Sequence, residues 1–261
     1  MEELKFVHKV SKGSKFNQIY IPSENVNFEP GDLVEVRLLK KKIKVHYSNT
    51  LKELSEFKKK LTEDVFSFLS DHREIKQIFL FGSFLTKKID YNDIDLLILI
   101  EGQNKSFEES IYNRLIDRFN LNFHIIFFDE EKLMELLVYC PLTRGMLYYY
   151  VSDKDFEIPK QTRINGNHIR FLLMMPEDLL EVDLDTGIEY YNALRKLCVV
   201  GNFLNGKEIS PGSIDLYLGN LLKDKLKLLK ENEILDKNIL INVKTVIKHK
   251  LEEIYGMIDN G

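Results

Sequence analysis

Ile78-Phe79-Leu80-Phe81-Gly82-Ser83, followed after nine residues by Asp93-Ile94-Asp95-Leu96-Leu97-Ile98-Leu99-Ile100, decides how this chain is read. The first run is a buried apolar strand that ends in a Gly-Ser turn, and the second is a strand that opens on two carboxylates. Alternate side chains of a strand point the same way. Asp93 and Asp95 therefore share one face, about 7 Å apart, and Leu97 and Leu99 continue that face as core. Two like charges at the mouth of an apolar strand are costly unless a cation or solvent meets them. Two hard oxygen ligands at this spacing suit Mg²⁺, which takes one or two carboxylates plus substrate phosphates. Gly82 lets the backbone approach a ligand closely, and free N–H groups with the Ser83 hydroxyl can hold phosphate oxygens. The plainer reading is a strand whose two acids cap a sheet edge in solvent.

Outward from this pair the flanks read as helices and a third strand. Thr50-x-x-Glu53 is a capping box, and Leu51, Leu54, Phe57, Leu61, Val65 and Phe68 repeat at helical spacing behind it. Ser106-x-x-Glu109 is a second capping box, with Phe107, Ile111, Leu115 and Phe119 on one face. Asn122 to Phe128 reads as the third strand, and Asp129 begins a short helix through Leu137.

Gly82-Ser83, the spacer and Asp93-Ile94-Asp95, each on a credible strand, resemble the DNA polymerase β-type nucleotidyltransferases, especially their small "minimal" members, over roughly residues 50–130. The resemblance implies an α+β fold with a mixed sheet and flanking helices, to which the segments on either side add a small N-terminal β domain and a C-terminal helical bundle. It implies two Mg²⁺ ions on Asp93 and Asp95, with Gly82 and Ser83 on the nucleotide. Two departures stand out. Active relatives place a third carboxylate near the middle of the third strand, where this chain has His124, a possible proton acceptor but a poor Mg²⁺ ligand. The spacer also lacks the Arg-Gly that many relatives carry, leaving Lys87 and Lys88 as the cations available to a triphosphate or to solvent.

Residues 4–47 read as short strands and tight turns. Phe6 to Val10 and Asn17 to Ile21 are strand candidates around a Lys12-Gly13-Ser14 turn. Leu33 to Leu38 and Ile43 to His46 form a hairpin-like pair after Pro30-Gly31-Asp32. So little apolar surface cannot build an independent core, so the module must pack on something. The Ile21-Pro22 and Pro30-Gly31-Asp32 landmarks resemble the AbrB-type swapped-hairpin domain, a family of DNA-binding dimers. That resemblance makes Lys5, Lys9, Lys12 and Lys15 candidate phosphate contacts. A module used only for dimerisation or packing is the alternative. Lys40-Lys41-Lys42 reads as a solvated edge.

Beyond the third strand, Gly145 to Val151 is a candidate fourth strand, and the polar, turn-rich stretch Pro159 to Asn167 marks a boundary. Arg163 and His168 match the Arg-x4-His spacing of HEPN ribonucleases, but that motif needs a helix where Asn165-Gly166-Asn167 reads as a turn. Pro176-Glu177-Asp178 reads as a helix start, and residues 188–204, 213–229 and 238–258 show helical periodicity. The expected organisation is an AbrB-like domain over 1–47, a nucleotidyltransferase domain over 48–160 and a helical domain over 161–261.

Composition bounds the rest. The chain of 261 residues is 44% hydrophobic and 30% charged with a net charge of −4, the profile of a globular protein with no membrane span. The charged N-terminus does not read as a signal peptide, and Cys140 and Cys198 have no metal spacing, so a reduced, cytoplasmic chain is the expectation. Residues 1–47 hold nine Lys or Arg against six Asp or Glu, about +3, so any nucleic-acid contact belongs there. The favoured function is Mg²⁺-dependent transfer of a nucleoside monophosphate from a nucleoside triphosphate, ATP by expectation, to a hydroxyl on a protein, RNA or small molecule. Asp93 and Asp95 would hold metal and His124 would act as base. The rival is a DNA-binding dimeric regulator or antitoxin that senses nucleotide without turning it over.

Overall fold

The computed structural model describes residues 7–20, 31, 33–37, 43–48, 51, 54–86, 91–102, 104–184 and 186–259. The capping box Thr50–Glu53, the landmarks Pro22, Pro30 and Asp32, and Lys40 to Lys42 lie outside them. The chain divides into two compact units, Met1–Lys41 and Lys42–Gly261.

In the first unit, β1 (Ser11–Lys12) pairs antiparallel with β2 (Asn17–Gln18). The Gly13 N–H donates to the Phe16 carbonyl at 3.1 Å, so the turn occupies 13–16. This longer turn moves the ladder past the expected Phe6 to Val10 strand. Val7, Val10, Phe16, Tyr20, Leu33, Val34 and Val36 are all exposed. Among the described residues the expected closing hairpin is not seen. Residues 33–37 carry no strand, and β3 (His46–Tyr47) instead pairs with β7 (Val151–Ser152) in the second unit.

The second unit is built on a five-stranded mixed sheet of order β3-β7-β4-β5-β6, with β4 at Ile75–Phe81, β5 at Ile94–Ile100 and β6 at Phe123–Phe128. β4 and β5 are antiparallel, which a short connection permits. β5 and β6 are parallel, which requires a crossover, and α2 (Lys105–Phe119) supplies it. The alternation read from the sequence separates the two faces. Ile78, Leu80, Leu96 and Ile98 pack with α1 (Glu56–Leu69) and α2, whereas Phe79, Phe81, Leu97 and Leu99 pack against Leu133 and Leu137 of α3 (Glu130–Tyr139). The Asp129 side chain caps α3 by accepting from the Lys132 N–H at 2.7 Å.

Three expectations shift. α1 is capped by Ser55, and its buried face runs through Lys58, Thr62, Val65, Phe66 and Leu69, leaving Phe57 exposed. α2 is capped by Asn104 rather than Ser106, its side chain accepting from the Phe107 N–H at 3.2 Å. The fourth strand is only β7, because Pro141–Met146 forms α4, with Pro141 in the first turn where its missing N–H costs nothing.

The remainder is helical, as α5 (Gly166–Glu181), α6 (Ile188–Leu204), α7 (Pro211–Leu222), α8 (Lys225–Lys230) and α9 (Lys237–Asp259). Pro176 lies inside α5 rather than at a start, buried on the face that carries Ile169, Leu172, Leu173 and Leu179. That continuous apolar face outweighs the one backbone bond a proline removes. Arg163 precedes α5, so it shares no helix with His168. Leu194, Leu197, Ile214, Leu218, Val243, Ile247 and Leu251 knit α6, α7 and α9 into one core.

Candidate active site

The site grows from the register of three strands. Phe81 lies opposite Asp95 across the β4–β5 ladder, and Asp95 lies opposite His124 across β5–β6. Gly82 follows Phe81 directly, so its backbone passes over the Asp95 carboxylate. A Cβ at Gly82 would stand 1.8 Å from Asp95 Oδ2, and Gly82 has φ +78°, so only glycine suits the position on both counts. Ser83–Leu85 then form a 3-10 turn, closed by the Leu85 N–H donating to the Gly82 carbonyl at 3.2 Å.

The Asp95 carboxylate is shared between two neighbours. Oδ2 faces Gly82, while Oδ1 lies 3.0 Å from His124 Nδ1. The Asp95 side chain is 18% exposed and that of His124 59% exposed, so the acid is sheltered and the imidazole faces outward. Burial raises the Asp95 pKa and the nearby Asp93 charge adds to the rise, against the opposing hydrogen bond to His124. Such a pair welcomes a cation. Among the described residues no group of three or more His, Cys, Asp or Glu comes together as a ready-made metal site.

Asp95, Gly82 and Ser83 open onto a cleft of about 850 Å³ within the second unit. Its other wall is helical and carries Tyr191, Asn192, Arg195 and Lys196 from α6 and Asp215 from α7. The sequence reading missed all five. Residues 191, 192, 195 and 196 form a polar stripe at helical spacing on a helix whose positions 190, 193, 194 and 197–200 are buried, and that stripe is the available signal. Burial lowers the Lys196 pKa, as it must for a cation drawn into a cleft wall. Asp215 accepts from Tyr191 Oη at 2.9 Å and from Lys230 Nζ at 2.8 Å. Burial works to raise its pKa, but these bonds and the charges of Lys230 and Arg195 outweigh it and hold the carboxyl below its usual range. Tyr191 is pushed up by burial and by Asp215.

Of the other expected residues, Lys9, Lys12 and Lys15 are exposed in the first unit, while Lys5, Lys87 and Lys88 lie outside the described residues.

Residues 63–147 match the family model described as "Polymerase beta, Nucleotidyltransferase". The match lies within the second unit. It spans β4, the Gly82–Ser83 turn, β5 and β6, and so holds Gly82, Ser83, Asp93, Asp95 and His124. No curated protein matches the chain. Among solved structures, the chain is similar to "spectinomycin adenyltransferase AAD(9) from Enterococcus faecialis with ATP and spectinomycin". The likeness is 13% identity at a TM-score of 0.46, covering 77% of this chain and all of that one.

Proposed function

We propose that the chain transfers a nucleoside monophosphate from a nucleoside triphosphate, ATP by expectation, to a hydroxyl acceptor. The observation that carries this reading is the close seat of the Gly82 backbone on Asp95, with His124 on the same carboxylate, inside the nucleotidyltransferase domain. Asp93 and Asp95 would hold Mg²⁺ together with phosphate oxygens, and bound metal would supply positive charge to the triphosphate. The Gly82-Ser83 turn offers backbone N–H groups and a hydroxyl to phosphate oxygens. Arg195 and Lys196 give the opposite cleft wall the countercharge that the spacer lysines were expected to provide.

Proton traffic follows from the Asp95–His124 pair. With Asp95 ionised the carboxylate only accepts, so a neutral His124 would donate from Nδ1 across the 3.0 Å contact and keep a lone pair on Nε2. The acceptor oxygen attacks the α-phosphorus and forms the new P–O bond as the bond to the β-phosphate oxygen breaks. Pyrophosphate leaves, and the hydroxyl proton passes to His124 Nε2. Protein, RNA and small-molecule hydroxyls all remain within this chemistry. The test of the site is calorimetry. Asp93→Asn with Asp95→Asn should abolish Mg²⁺-dependent ATP binding while the fold survives, because the substitutions relieve like-charge repulsion. An unchanged Mg-ATP affinity in the double variant would refute the two-carboxylate site.

A second reading, a dimeric DNA-binding regulator, is favoured by the first unit. Most of its described apolar residues are exposed, and Lys9, Lys12 and Lys15 face solvent as well. Pairing with a second copy would cover that surface, and DNA contact would fall to the lysines. Sedimentation of the full chain as a monomer would contradict it.

A further inference from the structure

The turn that presents Gly82 and Ser83 runs on to Thr86, and Tyr91 stands two residues ahead of Asp93. One cation touches both sides of this connection. Lys58, in the first turn of α1, is only 7% exposed. Its ammonium donates to the Thr86 carbonyl at 2.8 Å and lies 5.2 Å from the Phe84 ring centroid and 5.3 Å from that of Tyr91. The two rings meet edge to face at 5.0 Å. Thr86 is bonded back in turn, since its N–H and hydroxyl donate to the Ser83 carbonyl at 3.0 and 2.7 Å. Hydrogen bonds thus run from Lys58 through Thr86 to Ser83, while the rings tie in the residue that leads to the acids.

A lysine at a core-facing helical position is expensive. Burial lowers its pKa, and an apolar side chain of similar length would pack there at less cost. Thr86, Ser83 and Gly82 all line the cleft, so the cost falls on a residue that supports the cleft rim from behind.

We propose that Lys58 is a positioning residue that staples Phe84 and Thr86 to Tyr91, and so sets the Gly82-Ser83 turn at the reach from Asp93 and Asp95 that a triphosphate needs. The proposal rests on the nucleotide reading above and adds a residue outside the site's own lining.

Lys58→Met keeps the apolar stem and removes the charge and the donor. Its Mg-ATP Kd should rise about tenfold, the worth of one charge-assisted hydrogen bond. KM should follow while kcat stays within about threefold, because the turn holds the triphosphate equally in ground and transition states. Lys58→Arg should restore most of the affinity. A merely structural lysine would instead move the melting midpoint and leave Kd alone. A Kd for Lys58→Met within about twofold of wild type overturns the proposal. Should that variant fail to fold, Tyr91→Leu decides, with a weaker Kd expected and an unchanged one refuting. If wild-type protein binds no nucleotide, the nucleotide reading fails separately. Tryptic cleavage after Lys87 or Lys88 then judges the staple. It should run several-fold faster in Lys58→Met, and equal rates overturn the proposal.

Discussion

Replacing Gly82 by alanine puts a methyl group where the Asp95 carboxylate already stands, 1.8 Å from Oδ2. The backbone there has φ +78° and ψ −156°, a region essentially reserved for glycine, and holding alanine in it costs about 1–3 kcal/mol. The clash must be relieved as well. If Asp95 rotates away it loses the 3.0 Å contact with His124, a charge-assisted bond worth about 1.5–3 kcal/mol. Alanine returns about 0.4–1 kcal/mol by restricting the unfolded chain. The net is a loss of about 2–5 kcal/mol, which for a unit of this size lowers the melting midpoint by about 4–20 °C. Asp95 would also be displaced from the place in which it is proposed to hold Mg²⁺ with Asp93, so Mg-ATP binding should fall beyond what lost stability explains. Thermal denaturation and calorimetry on one preparation separate the two effects. A Gly82→Ala protein that melts with wild type and binds Mg-ATP with unchanged affinity would refute the close approach of turn and carboxylate.

His124→Ala should lower turnover by about 10²–10⁴-fold with nucleotide affinity little changed, and His124→Asp should lose or shift activity although it offers a carboxylate. Equal turnover in wild type and both variants would reduce His124 to an ordinary strand residue. His168 gives a prediction about acid. Its Nε2 is buried without a hydrogen-bond partner among the described residues, with the Tyr139 ring 4.9 Å away, and burial lowers its pKa from 6.5. The unfolded chain therefore takes up this proton first, and stability drains away as pH falls through 6.5 toward the lowered folded value. His168→Phe should remove that loss, so its advantage in denaturation midpoint should grow between about pH 7.5 and about pH 5. Parallel pH profiles for the two proteins would contradict the assignment.

What could be read before the structure was the part governed by local rules. Period-two alternation put Leu97 and Leu99 on one sheet face and Leu96 and Ile98 on the other, and Asp129 announced α3. That His124 faces the acids came from the family resemblance and not from a local rule, and the parallel register of β5 and β6 sets it opposite Asp95. Other features depended on what lay across from them. Lys58 sits on the buried face of α1 because Thr86 and two aromatic rings await its ammonium, so a stripe drawn from apolar residues alone came out rotated. Pro176 reads as a start because its local rule is strong, yet the apolar face of α5 on either side of it is stronger. Arg195 and Lys196 were visible as polar positions, but only the fold turns that stripe toward Gly82 and Asp95. β7 is two residues long, too short to leave any periodicity.

The central claim is that the α-phosphoryl group, with its nucleoside, is what moves. Incubation with Mg²⁺ and ATP labelled at either the α- or the γ-phosphate, followed by separation of acceptor from nucleotide, asks this directly. Supplied with hydroxyl-bearing acceptors of protein, RNA and small-molecule type, the chain should place α-label on an acceptor and release the γ-label as pyrophosphate. Asp93→Asn with Asp95→Asn should do neither. Transfer of γ-label would mean phosphoryl transfer, and no label moving from any nucleoside triphosphate to any acceptor would leave a nucleotide sensor. Either result would contradict the account.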